Sequence, residues 1–298
     1  MSFSSLRNIT IKTELTVELI DELNQLKLLD CSNIQCNVHH TKLQLAINNQ
    51  STDGFELRCH RCRSGNKHSI RINSWFSNHH FSITTGIQII NSLAAHSTIE
   101  SISKDTQVDR HTIYDIYSDL TSRMAKFNEN NRPFFTKDSI VEIDESHFKW
   151  KVDSDNVDCV DGCEEGEGDW LLGIVERGQN RCWIHPIESR SKESIIPIIN
   201  ELVEKGTTIM TDKLETYNLL DKEYKHYSIN KKQEGFYKLG RTRSTDISTQ
   251  SIESLWSKLR TFSRSKKHSN VNSVHRIVHE FIYDRFNISF FNLIKASK

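Results

Sequence analysis

Proline is scarce in this chain, three in 298 residues, so obvious interdomain linkers are few. No run of about 18 apolar residues occurs, so no membrane-spanning helix is expected. The opening MSFSSLRNITIKTEL has neither an apolar h-region nor a small-residue cleavage site, so secretion is not expected. Net charge is also missing: 39 Lys and Arg balance 39 Asp and Glu. That balance hides a segregation. Asp153 to Asp169 holds eight acidic residues and no basic one, which leaves the remainder at about +8. The bland reading of that stretch is a solvated acidic loop. Seven cysteines are an odd number in local clusters, which suits metal binding or free thiols in a reducing compartment, nucleus or cytosol, better than a disulfide framework. With 36% hydrophobic and 26% charged residues, the chain is expected to fold rather than stay disordered.

Four segments follow. Residues 1–30 carry an amphipathic helix over 10–29, with Leu15, Leu19, Ile20, Leu23 and Leu26 at helical spacing. Residues 31–80 carry a Cys/His constellation: Cys36 and His39, then Cys59 and Cys62 at the same spacing. Between the pairs, Lys42 to Asn48 alternates as a strand, Asp53-Gly54 signals a hairpin turn, and Phe55 to Arg58 leads into the second pair. Two knuckles joined by a hairpin read as a zinc ribbon, a closed tetrahedral Zn²⁺ site without an open position for chemistry. Cys31 or His40 remains an alternative ligand. Residues 81–130 read as helices, with Ile87, Ile89, Ile90 and Leu93 as one stripe and a polar break at Lys104-Asp105-Thr106. Arg110, His111 and Thr112 at the start of the last helix suit a helix-turn-helix; a plain helical bundle fits the pattern equally well.

Residues 138–298 are an α/β segment. Strands are expected at 139–146, 170–176, 181–186, 207–212 and 225–230. Helices are expected at 191–205, ended by Gly206, near 215–220, from Ser248 to Phe262, and near 273–285. Three antiparallel strands, then helix, strand, helix, strand, helix, is the order of an RNase H-like domain on a mixed five-stranded sheet.

Three carboxylates stand where that order brings strands and helix together: Asp144 inside the first strand, Asp212 closing the fourth, and Glu253 on the helix after the fifth. A carboxylate in mid-strand is costly unless solvated, paired or metal-bound. Three that converge can hold two Mg²⁺ (or Mn²⁺) ions about 4 Å apart and activate an oxygen nucleophile at a phosphodiester. Asp212 alone also suits a helix N-cap, and Glu253 alone a surface glutamate; Glu142 and Glu145 are the reserve carboxylates. Arg241, Arg243, Lys258 and Arg260 surround the last motif as candidate DNA-phosphate contacts, and Lys67, His68 and Arg71 are candidates on the ribbon. Trp256 reads as core packing rather than a base-stacking wedge.

Val141-Glu-Ile-Asp-Glu-Ser146, Trp170-Leu-Leu-Gly-Ile-Val-Glu-Arg177, Ile209-Met-Thr-Asp212 with Tyr217, and Gln250-Ser-Ile-Glu-Ser-Leu-Trp256 with Lys258 together resemble the Merlin superfamily of DDE transposases and their bacterial insertion-sequence relatives. The likeness covers roughly residues 30–290, the ribbon and helices included. It implies an RNase H-like fold, Asp144, Asp212 and Glu253 as the catalytic triad, and Mg²⁺ or Mn²⁺ as cofactor. It further implies cleavage of double-stranded DNA at terminal inverted repeats, strand transfer of the 3′-hydroxyl into target DNA, and a homodimer that joins two ends. The chain departs from the family where Asn230-Lys231 replaces an Asn-His pair, where Ser248-Thr249 replaces His-Thr, and in the acidic insert with Cys159 and Cys163.

Overall fold

The computed structural model describes residues 3–10, 12–62, 66–148, 169–230, 237–238, 246–265, 274–286 and 288–295. The acidic stretch up to residue 168, Cys159, Cys163, Arg241 and Arg243 lie outside them. No helix among the described residues is long and apolar enough to cross a membrane. The chain divides into two compact units, Met1–Arg123 with Ile288–Lys298, and Met124–Asn287.

In the first unit, helix α1 (Val17–Gln25) starts where the Thr16 side chain accepts from Leu19 N, and it buries Ile20 and Leu23. Strands β1 (Gln44–Ile47), β2 (Phe55–Arg58) and β3 (Lys67–Ser69) form an antiparallel sheet in that order. The expected turn before β2 is present, and Gly54 takes φ +76°, a left-handed conformation that suits glycine. Helix α2 (Ile83–Ala94) opens on a Ser82 cap and buries Ile83, Ile87, Ile90 and Leu93. Asp53, in the β1–β2 turn, accepts from Ile83 N at 2.9 Å and pairs with buried Arg71. Arg71 is therefore a structural residue, which corrects its reading as a DNA contact. Helix α3 (Ile99–Thr106) runs through the expected polar break: Thr106 is buried and its hydroxyl donates to the Ile102 carbonyl. The chain instead breaks at Gln107, whose φ of 58° ends the helix before α4 (Arg110–Asn130).

The second unit holds a five-stranded mixed sheet of β4 (Ile140–Phe148), β5 (Asp169–Glu176), β6 (Cys182–Ile187), β7 (Thr208–Asp212) and β8 (Lys225–Ile229). Its order is β6-β5-β4-β7-β8, with β7 parallel to β4 and β8 parallel to β7. That arrangement is consistent with an α/β RNase H-like domain. Helix α5 (Lys192–Leu202) follows a Ser191 cap and stops three residues earlier than expected, because Val203 bridges Phe135 as extended backbone. Two short strands, β9 (Tyr237–Lys238) and β10 (Ile247–Ser248), precede helices α6 (Gln250–Ser265) and α7 (Val274–Arg285).

Helix α6 lies across β4 and β5 on the buried residues Ile252, Leu255, Trp256 and Leu259. Spacing of three and four residues places these on one face, which explains the helix and its seat. Its close approach depends on Gly173 in β5: a Cβ there would lie 2.7 Å from both Ile252 Cδ1 and the Trp256 ring. Gly173→Ala should therefore cost about 1–3 kcal/mol of stability, the usual range for overpacking. A urea titration checks this; an unchanged midpoint would mean that α6 seats without the gap.

Candidate active site

The parallel register of β4 and β7 pairs Val141 with Ile209 and Glu142 with Met210. Continued by two residues, that register sets Asp144 level with Asp212 on the neighbouring strand. On β5 the residue opposite Asp144 is Gly173, over which the Trp256 ring sits. The indole Nε1 donates to Asp144 Oδ2 at 3.3 Å, so Trp256 is a core residue that also orients a carboxylate. Asp144, Asp212 and Glu253 all line one cleft of about 330 Å³, together with Glu145, Ser146, His147, Trp170, Arg190, Trp256 and Arg260. Asp144 is 5% exposed, while Asp212 and Glu253 are half-buried. One oxygen of Asp212 accepts from Leu214 N at 3.1 Å, so its carboxylate also shapes the turn after β7, as an Asx residue would.

The reserve carboxylates have other partners. Glu142 is fully buried, and its oxygens accept from Ser251 N at 2.7 Å, Ile252 N at 3.1 Å and the Ser251 hydroxyl at 3.0 Å. These N–H groups are the otherwise unpaired donors of the first turn of α6. Arg177 donates to the same carboxylate at 3.0 Å and to the carbonyls of Asp246 and Ser248. Glu142 thus fixes the first turn of α6, which also carries Glu253. The positive end of the helix dipole and Arg177 together compensate its buried charge.

Glu145, on the opposite strand face, accepts from the Tyr217 hydroxyl and from Arg190 Nε and Nη2, at 3.1 and 3.0 Å for the arginine. Burial pushes its carboxyl up to about 7; Arg190 opposes that rise, and the nearby Asp144 and Asp212 add to it. The four carboxylates of the cleft, Asp144, Glu145, Asp212 and Glu253, outnumber its two arginines, Arg190 and Arg260, and make the site negative. Hard oxygen donors of this kind suit Mg²⁺ or Mn²⁺ rather than a soft metal.

Arg260 lines the cleft from α6, on the strand face of Asp144: its Nη2 donates to Ser146 Oγ at 2.8 Å and its guanidinium lies 5.5 Å from the centre of the Phe148 ring. Lys258 is exposed on α6 but does not line the cleft. Sequence reasoning missed Arg190 and the anchoring roles of Glu142, Glu145 and Tyr217. Nothing in the spacing marks Arg190; it is a single cation just before a helix cap.

The second cluster is in the first unit. The ligand atoms of Cys36, His39, Cys59 and Cys62 lie within 4.8 Å of one another, and no other trio of such donors among the described residues is drawn so close. Cys36 and Cys62 sulfurs are 3.7 Å apart, and His39 Nδ1 is 3.8, 3.6 and 3.3 Å from Cys36, Cys59 and Cys62. A tetrahedral ion about 2.3 Å from sulfur and about 2.0–2.1 Å from nitrogen sets edges of about 3.8 and about 3.5 Å, so the cluster fits such an ion. Burial works against ionising Cys36, yet amide donation from His39 and Val38 brings its thiol down to about 5. Cys31 stands apart, hydrogen-bonded to Asn24, and His40 is not in the cluster.

Residues 137–283 match the family of ISXO2-like transposase domains, just under half of the chain. The likeness supports a DDE transposase family, and it spans β4 through most of α7, hence every residue that lines the cleft. No curated protein and no solved structure matches the chain.

Proposed function

We propose, on the premise of a transposase-type domain at residues 137–283, that this protein is a DNA transposase of the DDE kind with Asp144, Asp212 and Glu253 as its catalytic carboxylates. The observation that carries the reading is their meeting on one cleft from three separate elements, β4, β7 and α6. Mg²⁺ or Mn²⁺ held there would supply an activated oxygen nucleophile and neutralise charge on the leaving oxygen. The protein's own part is placement. Trp256 orients Asp144, the Leu214 amide orients Asp212, and Glu142 pins the helix that carries Glu253. Arg260 and Lys258 on α6 offer cations for the phosphodiester backbone, as would Arg241 and Arg243 in the segment outside the described residues.

The substrate is double-stranded DNA with terminal inverted repeats: strand cleavage at the ends, then transfer of the 3′-hydroxyl into target DNA. The resemblance to the Merlin superfamily supports this finer assignment. The Cys36, His39, Cys59 and Cys62 cluster holds structural Zn²⁺ as a ribbon, and α3 with α4 acts as a helix-turn-helix whose exposed Arg110 and His111 contact the repeats. Two protomers pair two ends as a homodimer.

The test is cleavage of a supercoiled plasmid that carries the DNA flanking this coding region. Nicked and linear products are expected with Mg²⁺ or Mn²⁺ and none with a chelator. Binding without cleavage under either ion would instead identify a host-recruited, non-cutting derivative.

A further inference from the structure

Arg190 is a cleft residue whose cation is held by a buried carboxylate. Its Nε and Nη2 both donate to Glu145 Oε2, whose side chain is fully buried and whose other oxygen accepts from buried Tyr217. The guanidinium lies 5.1 Å from the centre of the Trp170 ring, a second cleft residue. The Thr216 hydroxyl donates to the Arg190 carbonyl at 3.1 Å and fixes its backbone. A flexible side chain is thus held by a carboxylate, a ring and a backbone contact, yet 39% of it stays exposed. Nη1 has no hydrogen-bond partner among the described residues. A fork this constrained has lost most of its rotamer freedom before any ligand arrives, so binding need not supply that cost again.

The partner of that fork is indicated by the opposite wall. Glu145 and Ser146 are consecutive on β4 and so face opposite sides of the sheet. Glu145 holds Arg190 and Ser146 holds Arg260, each arginine resting on an aromatic ring, Trp170 or Phe148. Two arginines therefore flank the carboxylates from the two sides. Carboxylates alone would repel an anionic strand; a planar guanidinium on each side provides bidentate places for successive phosphates.

We propose that Arg190 is a phosphate-binding residue that seats the DNA backbone across the cleft, opposite Arg260, and that Glu145 with Tyr217 is its positioning base. The proposal rests on the transposase reading for its substrate. Arg190 touches the substrate; Glu145 acts through it.

Binding of a short duplex without divalent ion separates the two ideas, since it needs no chemistry. Arg190→Ala should weaken binding by about tenfold and flatten the slope of log affinity against log salt by about one. Arg190→Lys should restore the slope, because the charge returns. In the nicking assay with Mg²⁺, Arg190→Lys should still show a reduced kcat, because a point charge does not reproduce the fork. Glu145→Gln should keep the slope and lower kcat. Wild-type slope and wild-type KM for Arg190→Ala, in protein with an unchanged melting temperature, would overturn the proposal. If the wild type fails to nick but Arg190→Ala still flattens the slope, the cutting reading falls while the phosphate contact stands.

Discussion

Asp144→Asn should lower metal-dependent nicking by at least about 10³-fold while leaving duplex affinity and fold near wild type. The side chain is 5% exposed, and its Oδ2 accepts from Trp256 Nε1 at 3.3 Å. An asparagine has nearly the same volume and can turn its carbonyl oxygen to the indole, so no cavity results and the indole donor keeps its acceptor. What is lost is one negative charge at the place where ions would bind. If that costs about 4 kcal/mol of transition-state stabilisation, the rate falls about 10³-fold. The comparison with Glu145→Gln decides between neighbours on the same strand. Asp144 shares the face of α6, whereas Glu145 is occupied by Arg190 and Tyr217. Activity within tenfold of wild type for Asp144→Asn, with a dead Glu145→Gln, would move the metal ligand one residue along β4 and refute the triad as assigned.

The strands of the second unit were legible because their apolar and polar residues alternate or run together over short, bounded stretches. Asp144 stood out as a candidate for a related reason: a carboxylate in mid-strand is unfavourable unless solvated, paired or metal-bound, though Glu142 and Glu145 on the same strand raise the same question. The placement of α6 was not legible. It depends on Gly173 leaving space for Trp256 and on Glu142 capping a helix 109 residues away, and neither pairing has a local signature. Arg71 misled in the same way. Its composition and position suit a DNA contact, but Asp53, 18 residues earlier, turns it inward. The break after α3 was misplaced because Thr106, polar in sequence, satisfies its hydroxyl on the preceding turn and stays helical, while Gln107 takes the left-handed turn. Strand β3 is three residues long, too short for any period to show.

Removing metal from the Cys36, His39, Cys59 and Cys62 cluster should unfold the β1–β3 region, and this is the larger of the two stability effects. Three strands of three or four residues and their flanks bury few apolar side chains, chiefly Leu57 in β2, Leu43 just before β1 and Ile70 just after β3. A segment of that size does not reach net stability by burial alone. Structural zinc contributes about 10–16 kcal/mol in zinc-finger peptides, as large as the whole stability of a typical domain. Cys59→Ser, or a strong chelator, should therefore abolish amide-exchange protection across 44–69, whereas the sheet of β4 to β8, which lacks these ligands, keeps its protection. Cys31→Ser is the control: its thiol bonds Asn24 rather than the cluster, so it should cost no more than about 1–2 kcal/mol. Zinc should also be present in purified protein and absent from Cys59→Ser. Full protection of 44–69 in chelator would show that the four donors sit together without a metal to hold.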